Sequence, residues 1–162
     1  MADFYGTIAD ADAYYSARLN AGWTGEDTAK TAALIRASSW IDATYGARFG
    51  GIRTGGREQL LAWPRTNACD GSGEAINSDA VPIEVERAVY EAALRELTAP
   101  GSLSPDIIPG SIKKRVRVEG AVEIEYAAGR AKDMMPILAA VDGLLAPLLS
   151  RGAVTTNWVM RA

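Results

Sequence analysis

A mainly α protein is predicted, a small bundle of about four helices with one protruding β-hairpin, a long glycine-rich loop and an extended C-terminal arm. Three observations predict it. Apolar residues recur at three- and four-residue steps in several segments, the period of a helix with one buried face. Residues 116–126 instead alternate strictly, the period of a strand. Between 46 and 81, seven of the chain's 16 glycines crowd together and leave few signals for either element. The 162 residues suffice for one domain with a modest core. We place that domain at 1–151, hairpin 112–127 included, and the arm at 152–162.

The first helix starts at Thr7-Ile8-Ala9-Asp10, where Thr7 caps free N–H groups and Asp10 complements the positive helix end. It is expected to run to about Asn20, with Ala11, Tyr14, Tyr15 and Leu19 near one face and Asn20-Ala21-Gly22 as the stop. Thr24-Gly25-Glu26-Asp27 repeats the start signal. Ala33, Leu34, Ala37, Trp40, Ile41, Thr44 and Tyr45 then make an apolar face, and Gly46 ends the second helix.

In the glycine-rich stretch the apolar island is Gln59-Leu60-Leu61-Ala62-Trp63-Pro64-Arg65. Trp63 precedes a proline, which favours extended backbone. It is expected to plug the core from a long loop, and with Trp40 it forms the pair of core anchors. A third helix starts at Val81-Pro82-Ile83-Glu84, with proline and acids at its first turn. Its stripe is Val85, Ala88, Val89, Ala92 and Leu97, and Pro100-Gly101 ends it. The last helix is expected to start at Asp133 or Met134, with Ile137, Leu138, Val141, Leu144, Leu145, Leu148 and Leu149 as its stripe. Pro147 should kink or end it.

The hairpin IKKRVRVEGAVEIEY opens basic and closes acidic. A three-residue loop Glu119-Gly120-Ala121 sets Val118 opposite Val122 and Val116 opposite Ile124. The other face then sets Arg117 opposite Glu123 and Arg115 opposite Glu125. Opposite charges across a ladder contribute roughly 0.2–1 kcal/mol per pair. A two-residue turn would scramble both faces, so the pattern selects the register. Only Lys113 and Lys114 lack a mate, and the run is better explained as a self-neutralising charge face than as a phosphate grip.

Charge and chemistry narrow the function classes. The net charge is −3 and the isoelectric point about 5.0, whereas a general DNA binder carries a basic surplus. There is no histidine and one cysteine, Cys69. Thus the commonest general base is missing, no intrachain disulfide can form, and a thiolate zinc cluster within one chain is excluded. The N-terminus lacks a signal-peptide pattern, and the apolar stretch from Met134 to Leu149 is too short and interrupted to span a bilayer. GARFGGIRTGG lacks the Gly-Lys-Ser/Thr ending of a phosphate loop. Asp70, Ser72, Glu74, Asn77 and Asp79 hint at calcium, but EF-hand spacing is absent and turn chemistry accounts for Asp70-Gly71 and Ser72-Gly73. The expectation is no catalytic role, no cofactor and no metal.

The order DADAYYSARL, AALIRASSWIDATYGARFGG, QLLAWPR, VPIEVERAVYEAAL, VRVEGAVEIEY and a Leu-rich last helix resembles the phage protein family labelled DnaT-like single-stranded DNA-binding. It is also similar to the head–tail connector, or adaptor, proteins of tailed double-stranded DNA phages. The likeness covers about residues 4–150. It implies a structural virion protein of the neck, between capsid and tail, assembled in the host cytoplasm. Subunits would form a homo-oligomeric ring, typically of about twelve copies, under the portal protein. The ring would extend the DNA channel, let double-stranded DNA pass without sequence-specific binding during packaging and ejection, and dock the next neck or tail protein. On that resemblance Trp158, Val159 and Met160 are portal-docking candidates. Arg115, Arg117, Glu123 and Glu125 are subunit-interface candidates, and loop 46–80 is a contact element ordered by neighbouring subunits. The alternative is a single-stranded nucleic-acid-binding replication accessory, with Lys113, Lys114, Arg115 and Arg117 on phosphates.

Overall fold

The computed structural model describes residues 3–105, 113–118, 122–126 and 138–149. In chain order the elements are α1 (Ile8–Ser16), α2 (Asp27–Tyr45), β1 (Ile52–Arg53), β2 (Arg65–Thr66), α3 (Ile83–Thr98), β3 (Lys113–Val118), β4 (Val122–Tyr126) and α4 (Ala139–Leu145). The fold is mainly helical. Helix α2 packs along α3, α4 lies against α3, and α1 touches both α2 and α3. Two antiparallel pairs, β1–β2 and β3–β4, complete the described residues.

The local rules account for most helix ends. Thr7 is the N-cap of α1, its Oγ1 accepting from the Asp10 amide at 3.1 Å. Pro82, extended at φ −60°, precedes α3, and Glu84 and Glu86 fill the first turn. Buried Ala33, Leu34, Ala37, Trp40, Ile41 and Tyr45 form the core face of α2. Val85, Ala88, Val89 and Ala92 answer from α3, and Val141 and Leu145 from α4. Thr44, expected on the face of α2, is exposed.

Two expectations about helix ends are corrected and a third is met. Helix α1 stops at Ser16 rather than near Asn20. The amide of Asn20 donates to the Tyr15 carbonyl and that of Leu19 to Ser16, a Schellman closure with Leu19 in the left-handed region at φ 52°. Leu19 therefore points away from the core and is 93% exposed. Helix α4 begins only at Ala139, because Leu138 is extended at its N-cap. The expected start at Asp133 or Met134 lies outside the described residues. Pro147 does end the helix, within the 3-10 turn Ala146–Leu148.

The glycine-rich segment is the larger correction. It was expected to need neighbouring subunits for order, yet its ties run within the chain. Strand β1 pairs with β2, Phe49 bridges to Leu149, Cys69 bridges to Ala75, and the Gly71 amide donates to the Pro147 carbonyl at 2.6 Å. At Gly51 the backbone turns to φ +68° and runs so close to β2 that a Cβ would lie 2.3 Å from the Thr66 carbonyl oxygen, so only glycine fits.

Candidate functional site

Two side chains that the apolar pattern does not single out organise the loop. Arg65, at the start of β2, is almost fully buried. Its guanidinium donates to four backbone carbonyls, from Nε to Gly50 at 2.6 Å, from Nη2 to Gly51 at 2.7 Å and Phe49 at 3.4 Å, and from Nη1 to Ala62 at 3.1 Å. Burial, and then the charge of nearby Arg53, pull its pKa below the usual arginine range. Asp42, on α2 beside Ile41, accepts from the Tyr5 hydroxyl at 2.7 Å and the Ala62 amide at 2.8 Å. The Tyr5 oxygen in turn accepts from the Trp63 amide at 3.0 Å, and the Tyr5 amide donates to Ser38 Oγ at 3.0 Å. Burial raises the Asp42 pKa against the pull of these donors. Burial, then the Asp42 charge, drives the Tyr5 hydroxyl far above its usual range.

This lattice seats Trp63 at 2% exposure, its ring edge-on to Phe49 with centroids 5.6 Å apart. Trp40 is buried too, so both anchor residues lie where the sequence places them. The Trp63–Pro64 peptide is cis. Gln59 braces the turn before it, accepting from the Gly55 amide at 2.8 Å and donating to the Leu61 and Pro64 carbonyls.

Between residues 4–10 and the Gln59–Pro64 turn lies a groove of about 580 Å³. Its walls include Phe4, Leu60, Leu61, Trp63, Pro64 and Val81, with Asp10, Glu58 and Glu86 but no lysine or arginine among the described lining residues. Leu60 is 66% exposed there. The Glu86 pKa is raised, first by desolvation and then by the charge of Asp10, so Glu86 is a carboxylate that a neighbouring cation would relieve.

A third feature is how the chain leaves the bundle. Glu96, buried on α3, accepts from the Gly101 amide at 2.9 Å, the Leu103 amide at 2.8 Å and Arg36 Nε of α2 at 2.8 Å. The carboxylate pKa is lowered because these donors outweigh the opposing desolvation. Ser104 and Asp142 line one groove beside α2, where Tyr45 donates to Asp142 at 2.7 Å.

The hairpin register is the one derived from charge and alternation. Val118 stands opposite Val122, Arg117 opposite Glu123, Val116 opposite Ile124 and Arg115 opposite Glu125. Lys113 is opposite Tyr126, and the ladder shifts between Lys113 and Arg115, leaving Lys114 as the extra residue. The four interface candidates therefore fall as two facing pairs. Trp158, Val159 and Met160 lie outside the described residues. The oxygen-rich loop follows turn chemistry, with Asp70 Oδ1 accepting from the Ser72 and Glu74 amides at 2.8 and 2.9 Å. Cys69 is exposed. No helix among the described residues is long and apolar enough to cross a membrane.

Asp42, Arg65 and Glu96 were not singled out as site residues from sequence. Asp42 and Arg65 lie inside the segments WIDATYG and QLLAWPR that carry the family resemblance. A charged residue embedded in an apolar island is the signal that marks them.

A small helical bundle that carries a charge-matched antiparallel hairpin and an apolar groove with acidic residues is the class these features define. The chain belongs to the family described as "Putative DnaT-like ssDNA binding protein", whose model matches residues 1–162. No curated protein and no solved structure matches it.

Proposed function

We propose that this chain is a structural virion protein, a head–tail adaptor that forms a ring under a phage portal, extends the DNA channel and docks the next neck or tail protein. The observation that carries this reading is the hairpin register, Arg115 opposite Glu125 and Arg117 opposite Glu123. A strand whose cations face acids at matching spacing suits contacts between like copies, where arginine and glutamate can exchange partners. It suits a phosphate backbone poorly, because each phosphate must compete with a carboxylate already opposite the cation. The net charge of −3 favours a conduit that does not hold passing DNA. Catalysis and cofactors have no part in this reading. The test is quantitative mass spectrometry of purified virions. A stable count of about twelve per particle, the ring size that the family resemblance implies for a closed cyclic assembly, is the expected result. Absence from virions, with abundance in infected cells, overturns it.

The second reading is a single-stranded nucleic-acid-binding replication accessory. The family description favours it, as does the lack of an acidic residue opposite Lys113 and Lys114. Titration with a fluorescent single-stranded oligonucleotide separates the two. If Lys113, Lys114, Arg115 and Arg117 all neutralise phosphates, log affinity falls with log salt with a slope of about −3. The adaptor reading expects no measurable binding at physiological salt.

A further inference from the structure

We propose that the apolar groove between residues 4–10 and the Gln59–Pro64 turn is the seat of this chain's own C-terminal residues Trp158-Val159-Met160-Arg161. The inference holds whether the chain builds a ring or binds a strand, and it gives Trp158, Val159 and Met160 a seat on their own copy in place of the portal-docking role that the resemblance implies.

Three arguments select this occupant. The first is surface chemistry. Leu60 is 66% exposed on the groove wall, beside Phe4, Leu61 and Trp63. A concave apolar surface of about 580 Å³ is ample for an aromatic anchor and its neighbours. The Trp63 indole Nε1 is buried with no hydrogen-bond partner. Trp158-Val159-Met160 is the apolar cluster of residues 150–162, and tryptophan is the residue type most often found as such an anchor.

The second is charge. Among the described residues the groove is lined by Asp10, Glu58 and Glu86 and by no cation. Residues 150–161 carry Arg151 and Arg161 and no acid. Seating Met160 on the apolar wall brings Arg161 next to these carboxylates, and Glu86, whose charge is disfavoured by burial and then by Asp10, gains a counter-ion. A nucleic-acid strand would meet the same three acids as repulsion.

The third is reach. Leu149 and Phe49 are bridge partners, which sets their Cα atoms about 5 Å apart. Thr54, on the groove, is five residues beyond Phe49, so it lies at most about 18 Å further along the chain. The groove is therefore within about 23 Å of Leu149, whereas the nine residues from Leu149 to Trp158 span up to about 30 Å when extended. The tail can occupy the groove of its own copy.

The experiment uses the full chain with a photo-crosslinking amino acid at Asn157, which leaves Trp158, Val159, Met160 and Arg161 intact. The expected products are intramolecular cross-links to Phe4 and to residues 58–64, at a yield independent of protein concentration. Leu60→Asp should lower that yield about tenfold, as loss of an apolar anchor does. Glu58→Lys should lower it about twofold, the scale of an exposed ion pair. Both positions are exposed, and a cooperative unfolding transition with native-like helical circular dichroism confirms that each variant is folded. Cross-links that join two copies overturn the assignment in favour of a second copy as occupant. Cross-links elsewhere, or a yield indifferent to Leu60→Asp, overturn it outright.

Discussion

The glycine-rich segment 46–80 and the hairpin β3–β4 reach order by opposite routes. In the hairpin each residue's place follows from its neighbours along the strand, since alternation and charge sign admit one register. In the loop there is almost no repeating pattern. Its course is set by single polar side chains that gather backbone groups distant in sequence, with Arg65 taking four carbonyls and Asp42 an amide and a hydroxyl. A periodic segment spreads its information over many residues, so each one matters little. An aperiodic segment concentrates it in a few, so each one matters a great deal.

The sharpest way to break this contrast is Arg65→Met. It keeps length and apolar bulk but leaves four carbonyls that guanidinium now satisfies, three of them in residues 49–51. Leaving a buried acceptor without its donor costs about 1–3 kcal/mol, and four carbonyls lose theirs at once. We expect a large fall in unfolding free energy, read by denaturant titration, and new protease cleavage between residues 50 and 65 before global unfolding. A variant that loses less than about 1 kcal/mol, the effect of an ordinary substitution, would mean the loop is held by its β1–β2 pairing and Trp63 instead.

That asymmetry also explains what the sequence discloses. The helical faces of α2 and α3, the burial of Trp40 and Trp63 and the hairpin register were all readable, because each is a periodic or local rule. The end of α1 was not, because Leu19 adopts a left-handed conformation for which glycine or asparagine is the usual signal. The internal order of loop 46–80 was not readable either. Nothing in QLLAWPR says which carbonyls its arginine will find, since those partners lie 14–16 residues upstream for all but Ala62.

Glu96 extends the loop's mode of anchoring to the segment that leads into the hairpin, and pH can probe it. Its folded-state pKa is depressed, so its contribution is fully present above the ordinary glutamate range and lost as pH falls through the folded value. Asp42 has the opposite sign. Its raised pKa makes the fold less stable as pH rises from the ordinary aspartate range through the raised value. We expect Glu96→Gln to cost about 2 kcal/mol at neutral pH, the scale of hydrogen bonds to a charged group. As pH falls below the ordinary glutamate range toward the depressed folded value the penalty should shrink, because the wild-type carboxylate is then being protonated. Thermal unfolding across that range measures both. An equal penalty at every pH would show that side-chain packing, not charge, holds Gly101 and Leu103 in place.

The smallest expected change in stability comes from the hairpin, where the information is most widely shared. Arg117→Glu places two acids opposite each other at one rung of the ladder. The cost to folding is about 0.2–1 kcal/mol, the value of one cross-strand pair, which shifts a thermal midpoint only slightly. Assembly is a different readout, because a contact repeated around a ring multiplies a small defect by the number of copies. We therefore expect Arg117→Glu to fold normally yet fail to assemble, and Glu123→Arg in the same chain to restore assembly by exchanging the signs across the rung. Rescue by the swap with no change in folding would place these charges between copies. Normal assembly of the single variant would leave the register as a property of the hairpin alone. The contrast with the loop would then be one of folding and not of function.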